Sequence, residues 1–256
     1  MAADVRYVWV YGVTDDHGTV AADMIGLGGS PVRTLSAAGL TAIIGDVSER
    51  EYGAAALRRN LEDLDWLDRT ARAHHAVIGA CGGQGPVVPM RLATVFASDA
   101  GVAGMLHERA SDIQGAMSRI SSRSEWGVKA YAVTPTDPQG PVPGPGAAGP
   151  GAVYLRRRRA QWTAQNDARR EATAGARTVY AELSRLAVSA RLYPPQSPDL
   201  VGQPAPMVLN AAYLVADERA GEFAAAVTDL TARHRFVRLA LTGPWPAYSF
   251  VSEGAS

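Results

Sequence analysis

The sequence predicts an α+β protein built from two small domains. Segments of strand and helix character follow one another in near alternation, no segment recurs with the 20–50-residue period of a solenoid, and the composition changes abruptly after residue 133. A chain of 256 residues can bury two cores of ordinary size.

Residues 7–13 (YVWVYGV) concentrate aromatic and β-branched side chains and read as a first strand, and residues 40–47 (LTAIIGDV) read as another. Between them, residues 25–31 (IGLGGSP) are glycine-rich but lack the Lys and Ser/Thr of a phosphate loop, and no helical pattern follows, so a turn is expected. Asn60 is placed to cap a helix with Glu62 and Asp63 in its first turn. Leu61, Leu64, Leu67, Ala71, His74 and Ile78 recur along it at helical spacing, and it ends near Cys81-Gly82-Gly83. In a short apolar strand over 87–92, Pro89 has no N–H for a ladder bond, which points to an edge or a bulge. A second helix is expected over 98–123, with Val102, Leu106, Ile113, Met117 and Ile120 as its stripe.

The next strand opens at residues 125–129 (EWGVK). At a period of two, Glu125, Gly127 and Lys129 share one face while Trp126, Val128 and Ala130 share the other, the pattern of a half-buried strand. Glu125 and Lys129 lie roughly 13 Å apart along such a strand, so they cannot pair with each other. Residues 134–151 are mostly Pro, Gly and small side chains, expected to be a flexible excursion. A long helix then runs from near residue 154 to just before Pro194, with Ala172, Ala176, Val179, Leu183, Leu186 and Ala190 as its seam and a basic run over 156–159 at its start. A strand over 207–215, a helix over 217–234 with Phe223, Val227 and Leu230 inward, and a strand over 236–241 complete the chain.

Composition narrows the function. The 25 basic residues balance 25 acidic ones, so the basic footprint of a nucleic-acid binder is missing, and self-association meets no long-range repulsion. A single cysteine, Cys81, excludes an internal disulfide and fits a reducing, cytoplasmic compartment. Neither a secretory leader nor an apolar run long enough for a membrane span is expected.

Three constellations were candidates for chemistry. His74-His75 with Cys81 lacks an orienting motif and reads as a helix-face pair beside a core thiol. His74 and His75 as a metal pair fail because adjacent helical residues point about 100° apart. Arg91 with Glu125 reads as a structural ion pair. No catalytic, metal or cofactor residue is therefore expected.

In order along the chain, His74-His75-Ala-Val-Ile, the run Val88-Pro89-Met90-Arg91-Leu92-Ala93-Thr94-Val95-Phe96, then Glu125-Trp126-Gly127-Val128-Lys129, and finally Leu241-Thr242-Gly243-Pro244-Trp245-Pro246-Ala247-Tyr248-Ser249-Phe250 resemble the signature segments of the gas vesicle protein L/F family. Leu92-Ala93 stands where that family usually has Phe-Gly, and the Pro/Gly tract is longer than usual. The resemblance implies a modified ferredoxin-like N-terminal domain over 1–124 and an α+β C-terminal domain over 125–256. It also implies a non-enzymatic assembly component without cofactors that binds the hydrophobic major shell protein and other accessory proteins, restrains shell-protein aggregation during nucleation, and lies at the gas-facing side of the vesicle. The signature residues, His74, His75, Pro89, Arg91, Thr94, Phe96, Glu125, Trp126, Gly127, Lys129, Gly243, Pro244, Trp245, Tyr248 and Phe250, are then expected to be structural. The seam from Ala172 to Ala190 is the candidate partner surface, against the simpler expectation that it packs on its own sheet. A ferredoxin-like enzyme or small-ligand-binding protein using a cleft between the domains is the competing reading.

Overall fold

The computed structural model describes residues 6–16, 18–82, 85–133, 150–196 and 205–251. The chain forms two compact units: residues 1–125 and 244–256 make one, residues 126–243 the other. Residues 244–251, expected with the second domain, thus group with the first unit.

In the first unit, β1 (Arg6–Asp15), β2 (Val32–Ala37), β3 (Leu40–Ser48), β4 (Val88–Pro89) and β5 (Val95–Phe96) form an antiparallel sheet in the order β2-β3-β1-β4, with β5 also pairing β1. This is the strand order of a ferredoxin-like βαββαβ sheet, modified because a 3-10 turn at Leu27–Gly29 stands where the first helix would be. β1 and β3 are buried almost end to end because both sheet faces are covered. The helix α3 (Leu64–Cys81) packs against β1, and α4 (Asp99–Glu108) packs against β1, β2 and β3. That double cover explains why β1 reads as a continuous apolar run rather than an alternation. Pro89 sits in the edge strand β4, where its missing N–H costs no ladder bond.

Several details depart from the sequence expectation. Two short helices, α1 (Glu49–Tyr52) and α2 (Ala54–Asn60), precede α3, so Asn60 closes a helix rather than opening one. The cap is Asp63, whose side chain accepts from the N–H groups of Asp65 and Trp66. The buried stripe of α3 is Trp66, Thr70, His74, Val77, Ile78 and Cys81, and Leu64 is 77% exposed. The helix expected over 98–123 breaks at Arg109 into α4 and α5 (Ala110–Ile120), while its apolar positions Val102, Leu106, Ile113, Met117 and Ile120 are all buried. β2 was not anticipated.

The described elements of the second unit are β6 (Arg123–Ala132, entering at Trp126), α6 (Pro150–Leu186), β7 (Ser189–Leu192), β8 (Met207–Ala216), α7 (Ala220–Arg233) and β9 (Val237–Trp245, leaving at Gly243). Its sheet runs β7-β8-β6-β9, again the ferredoxin-like order. Trp126, Val128 and Ala130 point into a core with Phe223, Val227 and Leu230, while Gly127 and Lys129 are half-buried, so the period of two holds in β6. α6 ends at Leu186 and the chain turns into β7, so Ala190 belongs to a strand and not to the helix seam. The tract expected to be a flexible excursion lies, over 134–149, outside the described residues.

Candidate functional site

The signature segments of the first unit converge on one clasp between α3, β1, the turn after β4 and the C-terminal segment. His74 and His75 arrive on α3, where the periodicity that buries Trp66, Thr70 and Ile78 also carries His74 inward. His74 is 2% exposed and bonded at both nitrogens. Trp9 donates its indole N–H to His74 Nδ1 at 2.9 Å, so Nδ1 accepts and Nε2 carries the proton, donated to the Met90 carbonyl at 3.1 Å. Burial, partly opposed by the Met90 carbonyl, pushes the His74 pKa down to about 4, which leaves the ring neutral. Tyr11, two residues on from Trp9 and on the same strand face, lies 5.5 Å from the His74 ring and accepts the N–H of Leu27 through its hydroxyl.

His75 faces the C-terminal return. Its ring stacks on Tyr248 at 5.8 Å and meets the edge of Trp245 at 5.0 Å. Phe250 is buried. Glu125 accepts the Ser249 hydroxyl at 2.6 Å and the Ser249 N–H at 2.7 Å. Burial first, and the Glu125 charge second, raise the Tyr248 phenol above its ordinary range, so it stays protonated. Two adjacent helix residues thus address two different layers, as their 100° separation requires.

The turn after β4 is built from the second segment. Thr94 Oγ1 donates to the Arg91 carbonyl at 2.7 Å, the Met90 N–H bonds Tyr11 O, and the Val10 N–H bonds Thr94 O. Ala93 has φ +66°, inside the left-handed region. Beside this turn lies a cleft of about 310 Å³ lined by Pro89, Arg91, Thr94, Phe96, Arg109 and Asp112, among others. Arg91, expected to pair with Glu125, lines this cleft, whereas Glu125 is engaged by Ser249.

The remaining signature residues serve the second unit or the passage between units. Trp126 packs 6.0 Å from the Phe223 ring. A Cβ on Gly127 would stand 2.6 Å from Thr242 Oγ1, so glycine permits the close approach of β9. Lys129 donates to Gln196 Oε1 at 3.1 Å. Gly243 has φ +117°, a conformation open to glycine, just before Pro244 begins the return.

Ala172, Ala176, Val179 and Leu183 are at most 3% exposed within the second core, with Leu186 and Ala190 packed against it. The candidate partner surface is therefore corrected: the small residues bring α6 close to its own sheet and leave no seam for a partner. The cluster residues that sequence reasoning passed over are Trp9, Tyr11 and Ser249. The spacing of Trp9 and Tyr11 at i, i+2 was the available signal for a shared face.

Among the described residues no group of His, Cys, Asp and Glu is arranged to hold a metal ion, and no helix is long and apolar enough to cross a membrane. Within the clasp, His74 and Glu125 bond to Trp9, Met90 and Ser249.

Fold and clasp together define a two-unit α+β protein whose characteristic residues organise its own architecture. Residues 7–252 match the family model of gas vesicle synthesis protein GvpL/GvpF. The chain is 40% identical over 249 residues to gas vesicle protein L of Streptomyces sp. (strain CB03234), covering 96% of this chain and 92% of that protein. It is 24% identical to gas vesicle protein F2 of Halobacterium salinarum over the same shares. The crystal structure of GvpF from Anabaena sp. PCC7120 superposes with a TM-score of 0.68 at 18% identity, covering 97% of each chain. That of GvpF from Microcystis aeruginosa superposes at 0.67 and 15% identity, over 96% of this chain and 99% of the other. The chain belongs to the GvpL/GvpF family of gas vesicle proteins.

Proposed function

We propose that this chain is a non-enzymatic assembly component of gas vesicles that binds the hydrophobic major shell protein, limits its aggregation during nucleation, and resides with it on the gas-facing side of the shell. Membership of the gas vesicle family over nearly the whole chain carries the reading. It is supported by the way His74 and Glu125 spend their polar atoms on Trp9, Met90 and Ser249, and His75 and Tyr248 stack on each other. With the α6 seam buried, one exposed apolar surface of the second unit follows the edge strand β7. Val188, Leu192 and Tyr193 are exposed there, and among the described residues the strand has one neighbour in its sheet, which leaves its other edge for an extended apolar segment. Because the chain has no net charge, apolar contact rather than charge capture is expected to dominate.

Co-expression with the shell protein, followed by co-purification at low and high salt, tests this. A complex that persists at high salt and is lost in Leu192→Asp supports the reading. No complex at either salt defeats it, and a complex lost at high salt defeats the apolar mechanism.

A further inference from the structure

The zero net charge conceals an asymmetry. Residues 1–125 and 244–256 carry 16 acidic against 11 basic residues, and residues 126–243 carry 14 basic against 9 acidic. The first unit is an anion and the second a cation of equal size.

Each unit also presents exposed apolar side chains beside charges of its own net sign. In the second unit, the inward stripe of α6 changes character along the helix. Ala172, Ala176, Val179 and Leu183 pack on the sheet, but Arg158, Gln161 and Gln165 occupy the same stripe nearer the N-terminus. That half of the helix is mostly solvent-exposed, with Leu155 59% and Trp162 68% exposed. Leu155, Arg159, Trp162 and Arg169 share one face at helical spacing, and no acid occurs between residues 150 and 166. Arg159 lies more than two turns inside a helix that begins at Pro150, so an anionic partner there is drawn by the arginines themselves rather than by the helix dipole. In the first unit, the corner between α2 and α3 exposes Leu61 at 42% and Leu64 at 77%, and every charge from residue 61 to 68 is acidic: Glu62, Asp63, Asp65 and Asp68. Arg58, Arg59, Arg69 and Arg72 flank it, with Arg72 bound to Asp68 at 2.8 Å and Asp63 occupied as the helix cap. Glu62 and Asp65 therefore bracket Leu64 as the charges on offer.

We propose that copies of this chain associate head to tail, the acidic leucine corner of one copy seated on the basic Trp162 face of α6 in the next. The two surfaces differ, so the contact is heterologous: an associated pair keeps one free end of each kind and grows further, into a ring where the rotation closes and into an open chain where it does not. The inference does not depend on shell-protein binding.

Sedimentation velocity on the purified chain at about 50 mM and about 500 mM salt tests it. The expected result is a mean mass that rises with concentration at low salt and falls to the monomer at high salt. Two surface variants sharpen the test, each first shown to melt as the parent does. Leu64→Ser with Asp65→Asn removes the acidic end, and Arg159→Ala with Trp162→Ala removes the basic end. Each variant alone is expected to be monomeric, and an equal mixture to form 1:1 dimers that grow no further. A parent chain monomeric at every concentration, a variant that still associates alone, or a mixture that yields no dimer or larger species overturns the proposal.

Discussion

Glu125 and Ser249, 124 residues apart in the chain, are joined twice: one carboxylate oxygen takes the serine hydroxyl at 2.6 Å and the other its backbone N–H at 2.7 Å. The first residue of the EWGVK motif thereby anchors the C-terminal segment, and the signature acid acts as a fastener.

Glu125→Ala is accordingly expected to destabilise the protein by about 1.5–3 kcal/mol, the range for hydrogen bonds to a charged group. Ser249→Ala, which keeps the backbone donor, is expected to cost less. Denaturant titration gives both values, and equal costs would show that the backbone bond contributes nothing.

His74 should make stability depend on pH. Its folded pKa of about 4 lies below the ordinary value of 6.5, so between those values the unfolded chain binds the proton and the folded chain does not. Stability is full above pH 6.5, falls as pH drops toward 4, and loses roughly 3 kcal/mol across that window. Burial lowers His75 in the same direction. His74→Gln, able to accept from Trp9 and donate to Met90, should flatten the curve; an unchanged slope would assign it to other groups.

Ala93 occupies a left-handed position at φ +66° that costs an L-residue roughly 1–2 kcal/mol, whereas glycine there loses about 0.5–1 kcal/mol of chain entropy. Ala93→Gly should therefore raise the denaturation midpoint slightly, and Ala93→Val should lower it. A glycine variant less stable than the parent would contradict the strain.

Ala176 is 3% exposed in the second core, where a carboxylate would be stranded without a partner. Ala176→Glu is expected to cost at least about 3 kcal/mol and to unfold the second unit, visible as lost helical circular dichroism. A folded variant that merely loses a binding partner would restore the helix seam as an interface.

Local periodicity was sufficient for much of the architecture. The alternation in β6 and the Phe223, Val227, Leu230 stripe of α7 are read directly from residue spacing, because a half-covered strand and a one-sided helix each print their burial on the sequence. Where both faces are covered or an element is very short, that imprint fades. β7 has only four residues, so helical spacing carried on through Ala190, and the stripe of α3 was displaced because exposed Leu61 and Leu64 happened to fit the period.

By itself the sequence determined the α+β class, the family through four ordered segments, and the separation into two cores, since these depend on residue type and order along the chain. Only the tertiary structure decided that residues 244–251 return to the first unit, that the alanine seam faces its own sheet, and that Trp9, His74 and Met90 form one buried hydrogen-bonded chain. Periodicity says which face of an element is apolar; what covers that face depends on pairings between segments more than a hundred residues apart, and no local spacing encodes them.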